Sequence, residues 1–210
     1  MKTVLIAIVT GGLLQHECIE SVYNQHLDNE NIRTKLKIIR GYNVDESRNN
    51  AVKIAIEQNY DYLFFVDDDQ ILKEDTIQKL LHWSKYEGYN IITTWTSRKK
   101  AGYSNLFNNE SGSFTEEHNL KINDLEKLIE NNVHFMEVTG VGMSGILIKT
   151  SVFKEIANQF NTMNIFQRTL YHDGNSLSED LNFCMKAKRC DFKILAILGQ
   201  RIGHIDKILL

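Results

Sequence analysis

Five short apolar runs, at residues 4–9, 35–39, 62–66, 90–94 and 144–148, alternate with segments whose apolar residues recur every three or four positions. The runs have the length and continuity of strands, and the segments between them have the period of helices. Ala51, Ile54 and Ala55 share one helical face, as do Ile77, Leu80 and Leu81, and later Val152, Phe153 and Ile156. Strands alternating with helices predict an α/β fold in which helices flank a mostly parallel central sheet. Leu63, Phe64, Phe65 and Val66 form an unbroken apolar run, as expected of a central strand buried on both faces. The first run passes into a Gly11-Gly12 turn, and the asparagine-rich segments near 28–32 and 104–119 read as surface loops.

A length of 210 residues suits one domain, 1–210, with a sizeable core. The formal net charge of −3 leaves no overall basic footprint, so nucleic acid is not an expected partner. Cys18, Cys184 and Cys190 are odd in number and lack paired C-x-x-C spacing, which argues against a disulfide framework or a cysteine zinc site and for a reducing compartment. The N-terminal MKTVLIAIVTGGLL imitates a signal peptide, but no small-residue cleavage site follows. The run is also shorter than the roughly 20 residues of a membrane span. A cytoplasmic location is expected, with peripheral membrane contact allowed.

The chemistry concentrates in three places. FFVDDDQIL sets Asp67, Asp68 and Asp69 directly after the central apolar run, where the open end of an α/β sheet binds ligands. In an extended chain Asp67 and Asp69 point the same way. Two carboxylates about 6 Å apart repel by roughly 3 kcal/mol at an effective dielectric of ~20, so a positive group is expected between them. NSLSEDLNFCMKAKR carries Glu179 and Asp180 at a helix start, where Ser176 and Glu179 fit a capping box and acidic residues complement the helix dipole. Leu181, Cys184 and Met185 begin its apolar face. His204 follows the apolar-rich segment 192–198.

Taken in order, the strand ending in Thr-Gly-Gly, ESRNNAV opening a helix, the DDD element, TGVGMSGILIKTSVF, SEDLNFCMKAKRCDFKI and GHI resemble the GT-A glycosyltransferases, especially the family 2-like enzymes, over nearly the full length. The resemblance implies a Rossmann-like GT-A sheet. It divides the chain into a nucleotide-sugar-binding half, about 1–100, and an acceptor-binding half, about 101–210. It also implies a nucleotide-sugar donor, with UDP favoured, a divalent metal, and an acceptor that is a glycan, lipid or protein. Asp67 matches the first DxD aspartate, at the ribose or metal shell, and Asp69 matches the last, the usual metal ligand. Asp68 blurs that register. His204 resembles the C-terminal histidine that completes the metal shell, and its imidazole favours Mn²⁺ over Mg²⁺. Asp180 matches the carboxylate that serves as base in inverting members, with Glu179 beside it positioning the acceptor or supporting the metal shell. Arg48 resembles the arginine that opens the second helix and reaches the nucleotide.

Residues of less specific pattern follow. Thr10 and Gly11 end the first strand, placed for the base or ribose, although Gly11-Gly12 serves equally as a turn. In TTWTSRKKAGY, Trp95 reads either as a platform for a sugar or as core, and Arg98 and Lys99 either as phosphate contacts or as a solvated loop. Gly140, Gly142 and Gly145 resemble the small-residue stretch under the acceptor site, or pack backbone. A haloacid-dehalogenase-like phosphatase would use Asp67 as nucleophile and Asp69 as acid/base, but Ile71 stands where threonine or valine is usual. A non-catalytic module that binds nucleotide sugar is the other alternative, and it would need no base at Asp180.

Overall fold

Along the first strand, β1 (Lys2–Thr10), alternate residues enter different cores: Leu5, Ala7 and Val9 pack on one face of the sheet, and Val4, Ile6 and Ile8 on the other. The computed structural model of the chain describes residues 1–25, 31–86, 88–98, 102–109, 114–170 and 176–205. After β1 come α1 (His16–Tyr23), β2 (Ile32–Arg40), α2 (Val44–Glu57), β3 (Tyr62–Asp67), β4 (Gln70–Ile71), α3 (Thr76–Trp83) and β5 (Tyr89–Trp95). The middle of the chain forms β6 (Tyr103–Phe107), β7 (Asn119–Lys121), α4 (Ile122–Glu130), β8 (Phe135–Val138), β9 (Gly140–Val141) and β10 (Ile146–Lys149). It ends with α5 (Thr150–Phe160), β11 (Thr169–Leu170), β12 (Ser176–Leu177), α6 (Glu179–Arg189), β13 (Lys193–Arg201) and β14 (Gly203–His204).

Seven strands form the main sheet in the order β2-β1-β3-β10-β5-β13-β8. β1, β2, β3, β5 and β13 run in one direction, while β10 is antiparallel to both its neighbours and β8 is antiparallel to β13. The sheet is therefore mostly parallel, as the alternation of runs predicts. β3 repeats the division seen in β1, with Leu63 and Phe65 in one core and Tyr62, Phe64 and Val66 in the other. α2, α4, α5 and α6 cover the first face, and α1 and α3 the second. Phe153, Phe166 and Phe183 pack together, and Phe166 meets Phe65 edge-on at 5.5 Å, joining α5 and α6 to the central strand. β2 lies at the sheet edge, where Lys35 and Lys37 on an exposed strand guard against pairing with another chain.

Two readings of the sequence are corrected here. The polar segment 104–119 contributes β6 and one residue of β7, which with β9 form a three-stranded sheet. Its buried Ser104, Asn105 and Asn119 satisfy backbone by hydrogen bonds rather than by apolar burial: Asn119 Nδ2 donates to the carbonyls of Ser104 and Leu106. Part of the segment near 28–32 lies outside the described residues, and Ile32 already belongs to β2. The cap of α6 is Ser178, whose hydroxyl accepts the Leu181 N–H, and not Ser176, which sits in β12. On that helix Phe183 and Ala187 join Cys184 in the core, while Leu181 and Met185 are half-buried. No helix among the described residues is long and apolar enough to cross a membrane.

Candidate functional site

The chain turns immediately after Asp67, so the three aspartates diverge instead of alternating as in a strand. Their backbone carbonyls are each fixed by a different neighbour: Asp67 by the Cys18 thiol at 3.3 Å, Asp68 by Gln15 N–H at 3.2 Å, and Asp69 by Ile205 N–H at 2.8 Å. Burial pushes the Cys18 thiol up to about 12, so it acts as a donor and not as a nucleophile. The three carboxylates then meet three separate partners. Asp67 faces Arg48 at 3.3 Å, Asp68 accepts from the Thr10 hydroxyl at 2.6 Å, and Asp69 lies 3.2 Å from His204 Nε2. The positive group that the structure places beside Asp67 is the Arg48 guanidinium. The turn gives each carboxylate its own partner, and repulsion remains, since Asp69 and Asp68 still push the Asp67 carboxyl up.

Arg48 owes its position to the start of α2. Asn43 caps that helix by accepting Glu46 N–H at 2.8 Å, while Glu46 reaches back to Tyr42 N–H at 3.1 Å. The arginine lies one turn further on and is only 3% exposed. Its Nη1 donates to Glu179 at 2.6 Å and to Asp180, and its Nη2 faces Asp67. Neighbouring Asn49 clasps the Phe166 backbone through both its amide atoms, at 2.8 and 3.0 Å. ESRNN thus ties the strand-end aspartate of β3 to the acidic start of α6. One buried guanidinium faces three carboxylates, and the more exposed Arg168 adds a second cation 3.6 Å from Glu179. Burial pushes the Asp67 carboxyl above the usual carboxylate range against the pull of Arg48, with Asp69 and Asp68 adding to the push, although 33% of its side chain remains open.

Asp67 stands where two clefts meet. The first, of about 260 Å³, is lined by Thr10, Gly11, Ser47, Arg48 and the aspartates. Gly11 is exposed, and an added side chain there would meet only open space. The second cleft, of about 300 Å³, is lined by Asp67, Asp180, His204, Arg98, Asn105 and Gly142, among others. A side chain at Gly142 would enter this space, 3.8 Å from Asp180 Oδ2. The Asp180 Oδ2 also accepts Met143 N–H at 3.3 Å, and the Ser144 hydroxyl accepts Asp67 N–H at 3.1 Å, so one loop steadies both acidic elements. Gly145 ends that loop at φ +69°, where a Cβ would lie 2.1 Å from Thr94 Oγ1.

Two candidates behave differently from a ligand-facing reading. Trp95 is 1% exposed, and its indole N–H donates to the Leu198 carbonyl at 2.6 Å. It is a core residue and has no free face for a sugar. Arg98 borders the second cleft but is anchored to Asn119 Oδ1 and lies over the Phe107 ring at 5.6 Å. Lys99 lies outside the described residues.

A divalent ion fits this donor set through two residues. β14 pairs antiparallel with β4, His204 opposite Gln70, which carries the imidazole to Asp69. Asp69 and His204, whose Oδ2 and Nε2 lie 3.2 Å apart, would be the two residues to hold the ion. Asp67 faces Arg48 instead, and no three His, Cys, Asp or Glu residues converge on a metal position among the described residues. An ion here would need the remaining ligands from a diphosphate or water, the usual arrangement for small divalent ions on phosphates.

Sequence reasoning missed Asn49, Thr96, Asn105, Met143 and Ser144. The glycines of GVGMSG read as small-residue packing and not as the loop that holds Asp67 and Asp180, and Asn105, whose Oδ1 accepts Thr96 N–H at 2.9 Å, carried no local signal.

No protein-family model matches the chain, and no curated protein matches it by sequence. Among solved structures, the fold is similar to A197 from STIV, with a TM-score of 0.61 and 18% identity over 99% of this chain and 87% of that one. It is similar to GalNAc-T7, crystallised with UDP, GalNAc and Mn²⁺, with a TM-score of 0.62 and 13% identity. It is also similar to S. aureus TarS 1-349, with a TM-score of 0.57 and 14% identity. The alignments cover 99% and 96% of this chain, but the chain spans only 44% of GalNAc-T7 and 59% of TarS. The fold expected from the sequence, a GT-A-like sheet flanked by helices, is the fold observed.

Proposed function

We propose that the protein is a metal-dependent glycosyltransferase, moving a sugar from a nucleotide-diphosphate sugar, with UDP favoured, to an acceptor hydroxyl with inversion. The observation that carries this reading is the Arg48 clasp. It draws the strand-end Asp67 against Glu179 and Asp180 at the junction of two clefts in a glycosyltransferase-like fold. The UDP and Mn²⁺ in the GalNAc-T7 structure support the donor and the metal. In this reading one domain, 1–210, holds the donor nucleotide with about its first 100 residues and the acceptor with the rest.

Thr10 and Gly11 line the first cleft, where a nucleotide's base and ribose would lie, and Arg48 and Asp68 border it. Asp69 and His204 would hold the divalent ion, Mn²⁺ favoured over Mg²⁺. When bound, the ion offsets the charge that develops on the diphosphate leaving group. The acidic lining makes that need acute, because a diphosphate entering beside Asp67, Asp68 and Asp69 adds negative charge to negative charge. Arg48 on Oδ1 of Asp180 fixes the carboxylate with Oδ2 toward the second cleft, where it would take the proton of an attacking acceptor hydroxyl. Glu179 orients Arg48 from the buried side.

The reading is tested by incubating the protein with UDP-sugars and Mn²⁺ and following UDP release, with water or a simple glycoside as acceptor. Release from one donor that chelator stops is the expected outcome. Absence of release from every donor, together with phosphate release from phosphomonoesters that Asp67→Asn abolishes, would move the assignment to a phosphatase.

A further inference from the structure

On residues lining the second cleft, three buried side-chain atoms have no hydrogen-bond partner: Asn105 Nδ2, Thr96 Oγ1 and Gln70 Oε1. The residues are 7%, 5% and 3% exposed, so water cannot freely satisfy these atoms, and buried polar groups are rarely left unpaired without a reason. The Asn105 amide cannot hide its donor by turning over. Its Oδ1 accepts Thr96 N–H at 2.9 Å, and reversal would set two donors against each other. Thr96 and Asn105 are also joined through the backbone, Asn105 N–H to Thr96 carbonyl at 3.0 Å, and Gly142 N–H holds the Asn105 carbonyl at 3.1 Å. The platform is therefore rigid. At Gly142 a Cβ would stand 3.6 Å from Asn105 Nδ2 and 3.8 Å from Asp180 Oδ2, so the glycine leaves a space that both the unpaired donor and the carboxylate border.

We propose that Asn105, Thr96 and Gln70 form a subsite that reads the hydroxyl groups of a pyranose ring held beside Asp180. An amide donor, a hydroxyl and an amide acceptor suit sugar hydroxyls, each of which both donates and accepts. Asp67 and Asp180 border the same space, and Arg98, the arginine on its lining, is tied to Asn119 Oδ1, so the three unpaired groups and not a free cation offer the contacts. The inference rests on the glycosyltransferase reading and deepens it by assigning the residues that select the sugar. The ring belongs either to the donor or to the acceptor, and the two sources separate experimentally.

The test uses the full chain with Thr96→Val, which keeps shape and removes the hydroxyl, and Asn105→Asp, which keeps the acceptor to Thr96 N–H and removes the donor. Calorimetry with Mn²⁺ compares UDP, UDP-sugars, and methyl glycosides added in the presence of UDP. For a donor ring, one UDP-sugar binds about fivefold or more tightly than UDP, the worth of about one net hydrogen bond. Each variant removes most of that advantage and leaves UDP binding unchanged. For an acceptor ring, the loss appears with the methyl glycosides instead. In either case the Tm of Thr96→Val stays level or rises, because a buried unpaired hydroxyl gives way to a methyl group. Variants that keep both sugar affinities, or a Thr96→Val whose Tm and UDP binding fall together, would overturn the subsite. So would a wild-type chain that gains nothing from any sugar. Failure of UDP to bind at all would refute the reading of the first cleft alone. Methyl glycoside binding lost in Thr96→Val would then still support the subsite, and no glycoside binding would overturn it.

Discussion

Arg48 on α2 is ion-paired with Asp180 on α6, 132 positions further along the chain. The same guanidinium contacts Glu179 and faces Asp67, so removing it strips Asp67 and Asp180 of this cation and leaves Glu179 with the more exposed Arg168 at 3.6 Å. Breaking a buried ion pair from one side costs about 3–5 kcal/mol. At about 2–4 °C per kcal/mol for a chain of this size, Arg48→Ala is expected to lower Tm by roughly 6–20 °C in a thermal melt. An unchanged Tm would mean that the clasp does not hold the halves of the site together.

Asp67 should behave in the opposite way. Its carboxyl is pushed up by burial, so the folded state binds the proton more tightly than the unfolded chain, and stability falls as pH rises from the unfolded value through the raised folded one. At neutral pH the ionised group is a net cost. Asp67→Asn is expected to raise Tm at pH 7, and the difference from wild type should shrink as pH drops below the carboxylate range. A constant difference across that range would contradict the assignment.

In the proposed reading the acidic elements have separate roles. On that reading Asp180→Asn keeps one oxygen to accept from Arg48 and should leave metal and nucleotide binding in place while lowering transfer by about 10²–10⁴-fold. Asp69→Ala should weaken metal-dependent nucleotide binding itself. Equal loss of binding in both variants would remove the distinction between base and metal ligand.

Gly145→Ala tests the loop beneath the second cleft. The positive φ and the 2.1 Å approach to Thr94 Oγ1 leave no room for a methyl group, and a destabilisation greater than about 1 kcal/mol is expected in denaturant unfolding. A neutral result would show that the loop relaxes without cost.

Much of the fold was legible because its physics is local. The unbroken run before Asp67 marks β3 as central, and the spacing of Val152, Phe153 and Ile156 marks the buried face of α5. The antiparallel insertion of β10 between β3 and β5 was not legible, since an apolar run carries no direction. Nor was β6, whose buried Ser104 hydroxyl donates to the Leu120 carbonyl of β7 and whose Asn105 Oδ1 accepts Thr96 N–H, so that polar residues take positions an apolar pattern would mark. At the site, the sequence pointed to Asp67, Asp69, Asp180 and His204 through resemblance. It left hidden that Arg48 would join residues 67, 179 and 180, because that contact depends on how helices pack rather than on any spacing. Trp95 was readable two ways, and its burial against Leu198 decides for core.

The most direct measurement is calorimetric titration of the protein with UDP, GDP and their common sugar conjugates, with Mn²⁺, with Mg²⁺ and with chelator. The expected result is binding of one nucleotide, UDP favoured, that is strongest with Mn²⁺, disappears with chelator and is lost in Asp69→Ala. Binding that ignores the metal, or no binding of any nucleotide under any condition, would contradict the glycosyltransferase assignment and return the aspartate cluster to a structural role.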